Sequence, residues 1–207
     1  MHPLGNLQVM TEVNTYGAEV LAGFSASSSI DTIPRAFADV FGVASTTFIG
    51  QNIGARNPER VKKSFWTIIL TSLLITGTIG LLLTLSGEFW LKLVLGSATS
   101  KNLTVSLEHG IIRMHHVTLF MFLYAMNTVL SHALQAFGYP SLASITNIAF
   151  NLVFRVLWMT FIYPLNPVFS SIPLCFTFSW ILHFVFYGIF FSIVFWRYMK
   201  KGICKKI

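Results

Sequence analysis

An all-α, polytopic membrane helix bundle is the fold class this sequence predicts. Of 207 residues, 54% are hydrophobic and only 10% are charged, and the mean hydropathy is +0.69. A soluble domain carries about 25% charged residues, far more than this chain has. The charges are also placed in a telling way. Ser64–Gly87 and Val156–Trp196 contain none, and each run abuts a basic cluster. The first cluster is Arg56, Arg60, Lys62 and Lys63; the second is Arg197, Lys200, Lys201, Lys205 and Lys206.

A helix needs roughly 20 apolar residues to cross a bilayer core of about 30 Å. Ser64–Gly87 therefore crosses once. Val156–Trp196 is too long for one crossing, and the Tyr163–Ser171 stretch, with Pro164 and Pro167, divides it. Gly138-Tyr-Pro140 ends the preceding apolar stretch in the same way. The pattern predicts five full helices at about 18–53, 61–86, 106–137, 141–163 and 172–199, preceded by a partial helix at about 1–13. The partial helix spans only about 20 Å and cannot cross alone. It reads as the end of a helix whose beginning is missing. Trp90 marks a short interfacial helix in the connection after Gly87.

With the C-terminus inside, alternation also places the Gly54–Lys63 connection inside, so both basic clusters obey the positive-inside bias. Connections 87–105 and 164–171 fall outside, with only Lys92 and Lys101 as cations. A multi-pass protein of the cytoplasmic (inner) membrane is expected, with a cytoplasmic C-terminus. The net charge of +7 belongs to these membrane-flanking clusters. A nucleic-acid partner is not expected, because such a patch would interleave bases with polar residues on a soluble face. Cys175 and Cys204 have no metal or disulfide spacing. No cleavable signal pattern is visible, and the sequon at Asn102–Thr104 is a weak signal.

Ionisable groups inside spans are the candidate functional residues. A charge at mid-bilayer costs about 2.5–3.5 kcal/mol on insertion scales, so such groups face a bundle interior or water. Asp31, Arg35 and Asp39 form an i, i+4, i+8 series and share one helix face. Pro34 leaves the carbonyl of Ile30 without its helical donor, so a kink is expected beside Asp31. These residues form either a cation, proton or substrate site or a charge-neutralised seam between helices. Arg155 lies roughly 22 Å along its helix from Pro140, and Asp31 roughly 20 Å from Ala18. The overlapping depths allow an Asp31–Arg155 pair, with Asn151 one turn away to complete a network. Glu108, His109, His115 and His116 cluster at a helix start, while His132 and His183 stand apart. That arrangement reads as interfacial histidines, and no metal site is expected.

Several segments carry a family resemblance. They are Asn14-Thr-Tyr-Gly17 through Ala26, Ser29-Ile-Asp31-Thr-Ile-Pro34, and Phe48-Ile-Gly50-Gln51-Asn52-Ile-Gly54-Ala55 continuing to Arg60. Leu134-Gln-Ala-Phe-Gly138, Asn151–Trp158 and Ile172–Trp180 continue them in order. The sequence resembles the multidrug and toxic compound extrusion (MATE) family from the seventh helix onward. The resemblance implies one lobe of a two-lobed, cation- or proton-coupled antiporter that exports small organic cations. Its partners would be the lipid bilayer and the missing N-terminal lobe, without which the half should be inactive. No cofactor is implied beyond a coupling ion, sodium or proton. Gly50, Gln51, Asn52, Gly54, Ala55 and Arg60 would form the family motif at the cytoplasmic helix end. Asn127, Tyr124 and Phe120 would offer an amide and aromatic faces to a cationic solute. Members often carry Arg directly before the Ile-Asp pair; Ser29 stands there, with Arg35 as a substitute. The alternatives are a lipid-linked saccharide flippase of the same superfamily, an inert or partner-requiring fragment, and a membrane-embedded His-box enzyme.

Overall fold

A computed structural model of the chain describes residues 3–96 and 100–204, and the regular structure assigned within them is helical throughout. Side chains are described for 7–96 and 103–200. Met1 and His2 of the expected partial helix, and Lys205 and Lys206 of the basic tail, lie outside the described residues, as do the side chains of Lys101, Asn102, Lys201 and Cys204.

The chain begins with α1 (Pro3–Thr15) and α2 (Ala18–Ile30), followed by α3 (Thr32–Gly54) and α4 (Pro58–Leu85). A short α5 (Gly87–Leu95) precedes α6 (Ser100–Arg113), which passes through a π-helical turn, Met114–Thr118, into α7 (Met121–Ala136). The next span is a composite of α8 (Pro140–Ile148), a π turn at Ala149–Val153, α9 (Phe154–Leu157), a second π turn at Trp158–Ile162 and a 3-10 turn at Tyr163–Leu165. The last is α10 (Ser171–Cys204).

Local chemistry sets most of the boundaries. Gly17 has a φ of 104° and Gly138 a φ of 90°. Both sit in tight turns where a side chain would be strained. Pro58 and Pro140 each open a helix where the missing N–H has no intrahelical acceptor. Asn57 Oδ1 accepts from the Arg60 backbone N–H at 3.1 Å and caps α4. On the exposed face of α5, Lys92 Nζ donates to Glu88 Oε1 at 2.5 Å. That hydrogen bond, with the ammonium's charge, holds the Glu88 carboxyl below its ordinary range.

Among the described residues four helices are long and apolar enough to cross a membrane: Pro58–Leu85, Leu103–Ala136, Pro140–Leu165 and Ser171–Lys200. The remaining expected span, 18–53, is α2 and α3 in series. It is divided at Asp31, and Glu19, Asp31, Arg35 and Asp39 set it apart from the apolar four. The α6–α7 span is central. Over half of its most apolar stretch (56%) is buried in the bundle, against 11% for the span that begins at Pro140. It touches α2, α3, α4 and α10.

Membrane helices gain nothing from hiding apolar surface from lipid tails that are equally apolar, so close backbone approach has to hold them. This chain achieves it with glycines on the contact faces. A Cβ at Gly80 would stand 2.7 Å from the Thr118 carbonyl oxygen, and one at Gly110 would stand 2.9 Å from Leu91. At Gly23 a Cβ would overlap the Ser106 carbonyl outright. The two ends of the bundle are tied by aromatic groups. At one end Tyr16 and Tyr163 share a hydroxyl hydrogen bond of 2.8 Å, and Phe169 packs edge-on against Tyr16. At the other, Phe137 meets Tyr198 at 5.4 Å between ring centroids.

Gly23→Ala is expected to destabilise the bundle by about 1–3 kcal/mol, the range for overpacked sites. Gly188→Ala, where nothing lies within 4 Å of the added carbon, is expected to be neutral or stabilising by up to about 1 kcal/mol. Thermal unfolding of both variants in one detergent checks the contrast.

Candidate functional site

Two polar assemblies lie inside the bundle, and both begin on the α2–α3 face that carries Asp31, Arg35 and Asp39.

The first is sealed. Asp31 is fully buried (0% exposed) and Arg113 nearly so (2%). Arg113 Nη1 donates to Asp31 Oδ2 at 2.8 Å, and Thr118 Oγ1 donates to Asp31 Oδ1 at 2.6 Å. The same Nη1 lies 3.3 Å from Ser27 Oγ, and the guanidinium covers the Phe24 ring at 4.7 Å. Both carboxylate oxygens are therefore satisfied, one by an opposite charge, as a buried carboxylate requires. Arg113 Nε has no hydrogen-bond partner among the described residues.

Arg113 displaces Arg155 as the partner of Asp31. Similar depth made the Asp31–Arg155 pair feasible, but α2 packs on α6, which brings Arg113 to Asp31. Arg155 instead donates from Nη2 to Asn151 Oδ1 at 3.2 Å and lies over the Phe176 ring at 4.2 Å. Asn151 in turn reaches Asn147 Oδ1 at 3.5 Å. Arg113 was open to detection, since it is the one charged residue between Gly110 and Phe137. The reasoning that selects Arg155 applies to it equally, but its neighbours His109, His115 and His116 make it read as interfacial.

The second assembly is open. The Arg35 guanidinium lies 4.9 Å above the centre of the Tyr124 ring, and Tyr124 Oη donates to Asp39 Oδ1 at 3.2 Å. Asp39 and Tyr124 line a cavity of about 730 Å³ together with Asn127, His132, Gln135, Asn147, Asn151, Trp180 and His183. Among the described residues Asp39 is the only charged one in that lining. Asn127 Nδ2 donates to the Trp180 carbonyl at 2.9 Å, which anchors the amide. His132 Nδ1 is 2.9 Å from Thr46 Oγ1. His183 is sandwiched between Phe150 and Tyr187. Asn127 Oδ1 and His183 Nε2 are buried with no hydrogen-bond partner among the described residues.

Phe120 does not line the cavity with Tyr124, although an i, i+4 spacing would align the two. It caps the start of α7 with φ −93° and ψ 13°, so the helical register is interrupted there; both rings pack against the apolar cluster around Val117 and Met121, and only Tyr124 reaches the cavity. The motif residues Gly50, Gln51, Asn52, Gly54, Ala55 and Arg60 lie away from the cavity. Asn52 Nδ2 donates to the Phe48 carbonyl at 2.7 Å and to Ser64 Oγ at 3.1 Å, tying the end of α3 to α4. The histidines expected at a helix start lie further along, His109 late in α6 and His116 in the π turn, and both turn to backbone: His109 Nδ1 to the Val105 carbonyl at 2.9 Å and His116 Nδ1 to the Ile112 carbonyl at 2.8 Å. Among the described residues no three His, Cys, Asp or Glu side chains gather as a metal site would need.

Helices long and apolar enough to cross a membrane, arranged around an open cavity with one carboxylate among its described lining residues, define a polytopic membrane helix bundle. The MatE family model matches residues 3–160, and the chain belongs to that family. Over 57 residues it is 40% identical to "Probable multidrug resistance protein YpnP" of Bacillus subtilis (strain 168), covering 28% of this chain and 13% of that protein. Among solved structures, a MATE protein in complex with MaD3S superimposes with a TM-score of 0.78 at 20% identity, over 90% of this chain and 41% of the other. A MOP superfamily transporter from Pyrococcus furiosus, described as having a binding pocket of reverse polarity, gives 0.77 at 21% identity, over 89% and 40%. The chain thus spans about two fifths of these structures, and the fold is what they share with it.

Arg113→Met is expected to cost about 3–5 kcal/mol, because it leaves a buried carboxylate without its counter-charge. Adding Asp31→Asn to it should recover at least half of that loss. The coupling of Asp31→Asn with Arg155→Met should stay under about 1 kcal/mol. Equilibrium unfolding of the single and double variants in one detergent supplies both cycles.

Proposed function

We propose that this chain is one lobe of a two-lobed, cation- or proton-coupled antiporter that exports small organic cations across the cytoplasmic membrane, its C-terminus and the Gly54–Lys63 turn on the cytoplasmic side. The observation that carries the reading is the 730 Å³ cavity, whose lining holds the carboxylate of Asp39, the aromatic faces of Tyr124 and Trp180, and no lysine or arginine. A delocalised organic cation gains from both kinds of group. An anionic lipid-linked saccharide would meet a carboxylate in that lining, with Arg35 and Arg155 set behind Tyr124 and Asn151.

The coupling role passes to Asp39. At Asp31 an internal guanidinium already occupies the position that a coupling ion would take, so Asp31 serves to hold helices together. Asp39 is exposed to the cavity and has one hydrogen bond, from Tyr124, whose ring also carries Arg35. A proton, sodium ion or cationic solute at Asp39 would compete for that bond and free the Arg35–Tyr124 contact. Such an event drives transport only when the ion binds the two arrangements of the lobes with different affinity.

Binding of tetraphenylphosphonium to the purified chain in nanodiscs tests the reading. Asp39→Asn should weaken it at least about tenfold, the loss expected when a charge-assisted contact of roughly 1.5–3 kcal/mol is removed. Unchanged affinity in Asp39→Asn would overturn the assignment. Alternating access rocks one lobe against another around a central site. The chain alone in proteoliposomes should therefore bind the cation without moving it, and gradient-driven uptake by the chain alone would overturn the half-transporter reading.

A further inference from the structure

Away from the cavity, where the end of α3 meets the start of α4, a second cleft of about 370 Å³ opens on the bundle surface. Its lining includes Phe48, Asn52, Arg60, Lys63, Thr67 and Ile68. Depth orders these residues. α4 has 28 residues, about 42 Å of helix, so roughly 6 Å stands clear of a hydrocarbon core of about 30 Å at each end. Arg60 and Lys63, in its first two turns, then lie at headgroup level. Thr67 is exposed at hydrocarbon depth, Ile68, 8% exposed, forms the floor of the cleft, and Phe48, 53% exposed, faces outward from α3.

The cleft is therefore cationic at its mouth and apolar at its base. The two cations have no internal counter-charge: the ion pairs formed among the described residues are Lys92–Glu88 and Arg113–Asp31. Glu59, one turn before Lys63, does not pair with it. The first turn of α4 is already capped by Asn57, so the charge comes from side chains and not from the helix end. The Asn52–Ser64 hydrogen bond holds the two walls together.

We propose that this cleft binds one anionic glycerophospholipid, its phosphate between Arg60 and Lys63 and an acyl chain along the Phe48 ring and the Thr67 methyl group, over the buried edge of Ile68. Free phosphate would use the mouth and leave the apolar walls bare, whereas a phospholipid matches both ends at the depth where each of its parts already lies. The assignment rests on charge and depth and does not depend on what the main cavity transports.

The test is retention of lipid by the purified full chain after equilibration with vesicles of phosphatidylglycerol and phosphatidylcholine in equal parts, read by native mass spectrometry. One phosphatidylglycerol should remain per chain. Arg60→Gln with Lys63→Gln should lower its retention roughly tenfold or more, as loss of two surface cations predicts, while the exchanged pair Arg60→Lys with Lys63→Arg keeps it. Arg56→Gln with Lys62→Gln removes the same charge from exposed positions outside the cleft and should leave retention unchanged. An equal loss in that variant would reduce the effect to general surface charge and overturn the site. Phe48→Ser should weaken retention with both cations intact, and no effect would overturn the acyl-chain placement. Displacement of the lipid by millimolar glycerol phosphate or inorganic phosphate would assign the mouth to a soluble anion and overturn the lipid proposal. All of these positions are on the surface, and helical content by circular dichroism confirms that each variant folds.

Discussion

The contact between Asp31 and Arg113 is the constraint around which the rest of this bundle is arranged. Either charge alone inside the bundle would be costly to bury, so each makes the other tolerable only if the two helices meet at one register. Asp31 is the single residue between α2 and α3, and Arg113 is the last residue of α6 before the π turn. The pair therefore joins the break in one span to the irregularity in another. Thr118, on the far side of that π turn, fills the second carboxylate oxygen. Slipping α2 along α6 by one turn would leave both charges and the Ser27 and Thr118 hydroxyls unmatched. A buried pair of this kind adds little net stability compared with an apolar substitute. Its effect here is to set which residues face one another along the span.

That register is what the small residues then exploit. Gly23 and Gly110 bring α2 onto α6 near Ser106, and Gly80 brings α4 onto the π turn at the Thr118 carbonyl. On the other side of the same central span, Gly42 lies under Thr128 and His132, and Ser45 Oγ donates to the Val129 carbonyl at 3.2 Å. Packing at backbone distance fixes α7 against α3 at Gly42, and the cavity opens beside that contact, between α3, α7, the composite span and α10, with Asp39, Thr128 and His132 in its lining. The cavity position thus depends on where the charges lock the helices.

Much of this was legible in the sequence because the bilayer imposes a length and an apolar composition on every crossing segment. The uncharged runs and the Gly-Pro punctuation locate the spans, and the i, i+4, i+8 spacing of Asp31, Arg35 and Asp39 does place all three toward the α6–α7 span. Partner choice was not legible. Depth arithmetic is one-dimensional, and Arg113 and Arg155 both satisfy it. The choice depends on which helix packs against α2, a fact that lies in glycine contacts between distant segments. Phe120 shows a second limit: helical spacing assigns it to the face of Tyr124, but Phe120 is itself the irregular N-cap of α7, and the cavity reaches Tyr124 and not the turn before it.

The irregular turns themselves are where polar function and fold meet. A π turn inserts a residue into a helix and rotates the side chains beyond it, and such turns gather at functional sites. No composition signature announces Met114–Thr118 or Ala149–Val153. Yet the first carries Thr118, which completes the Asp31 site, and the second carries Asn151, which both lines the cavity and accepts from Arg155. The backbone irregularity and the polar side chain occur together because a regular helix would turn that side chain elsewhere. The cavity is thus bounded by a span that is already deformed, between helices locked by a buried charge pair. Asp39 stands at the boundary of the two regimes, on the fixed α3 face and opposite the deformed span. Its carboxylate is the charge that α3 presents to the cavity, held by the Tyr124 hydroxyl of the central span.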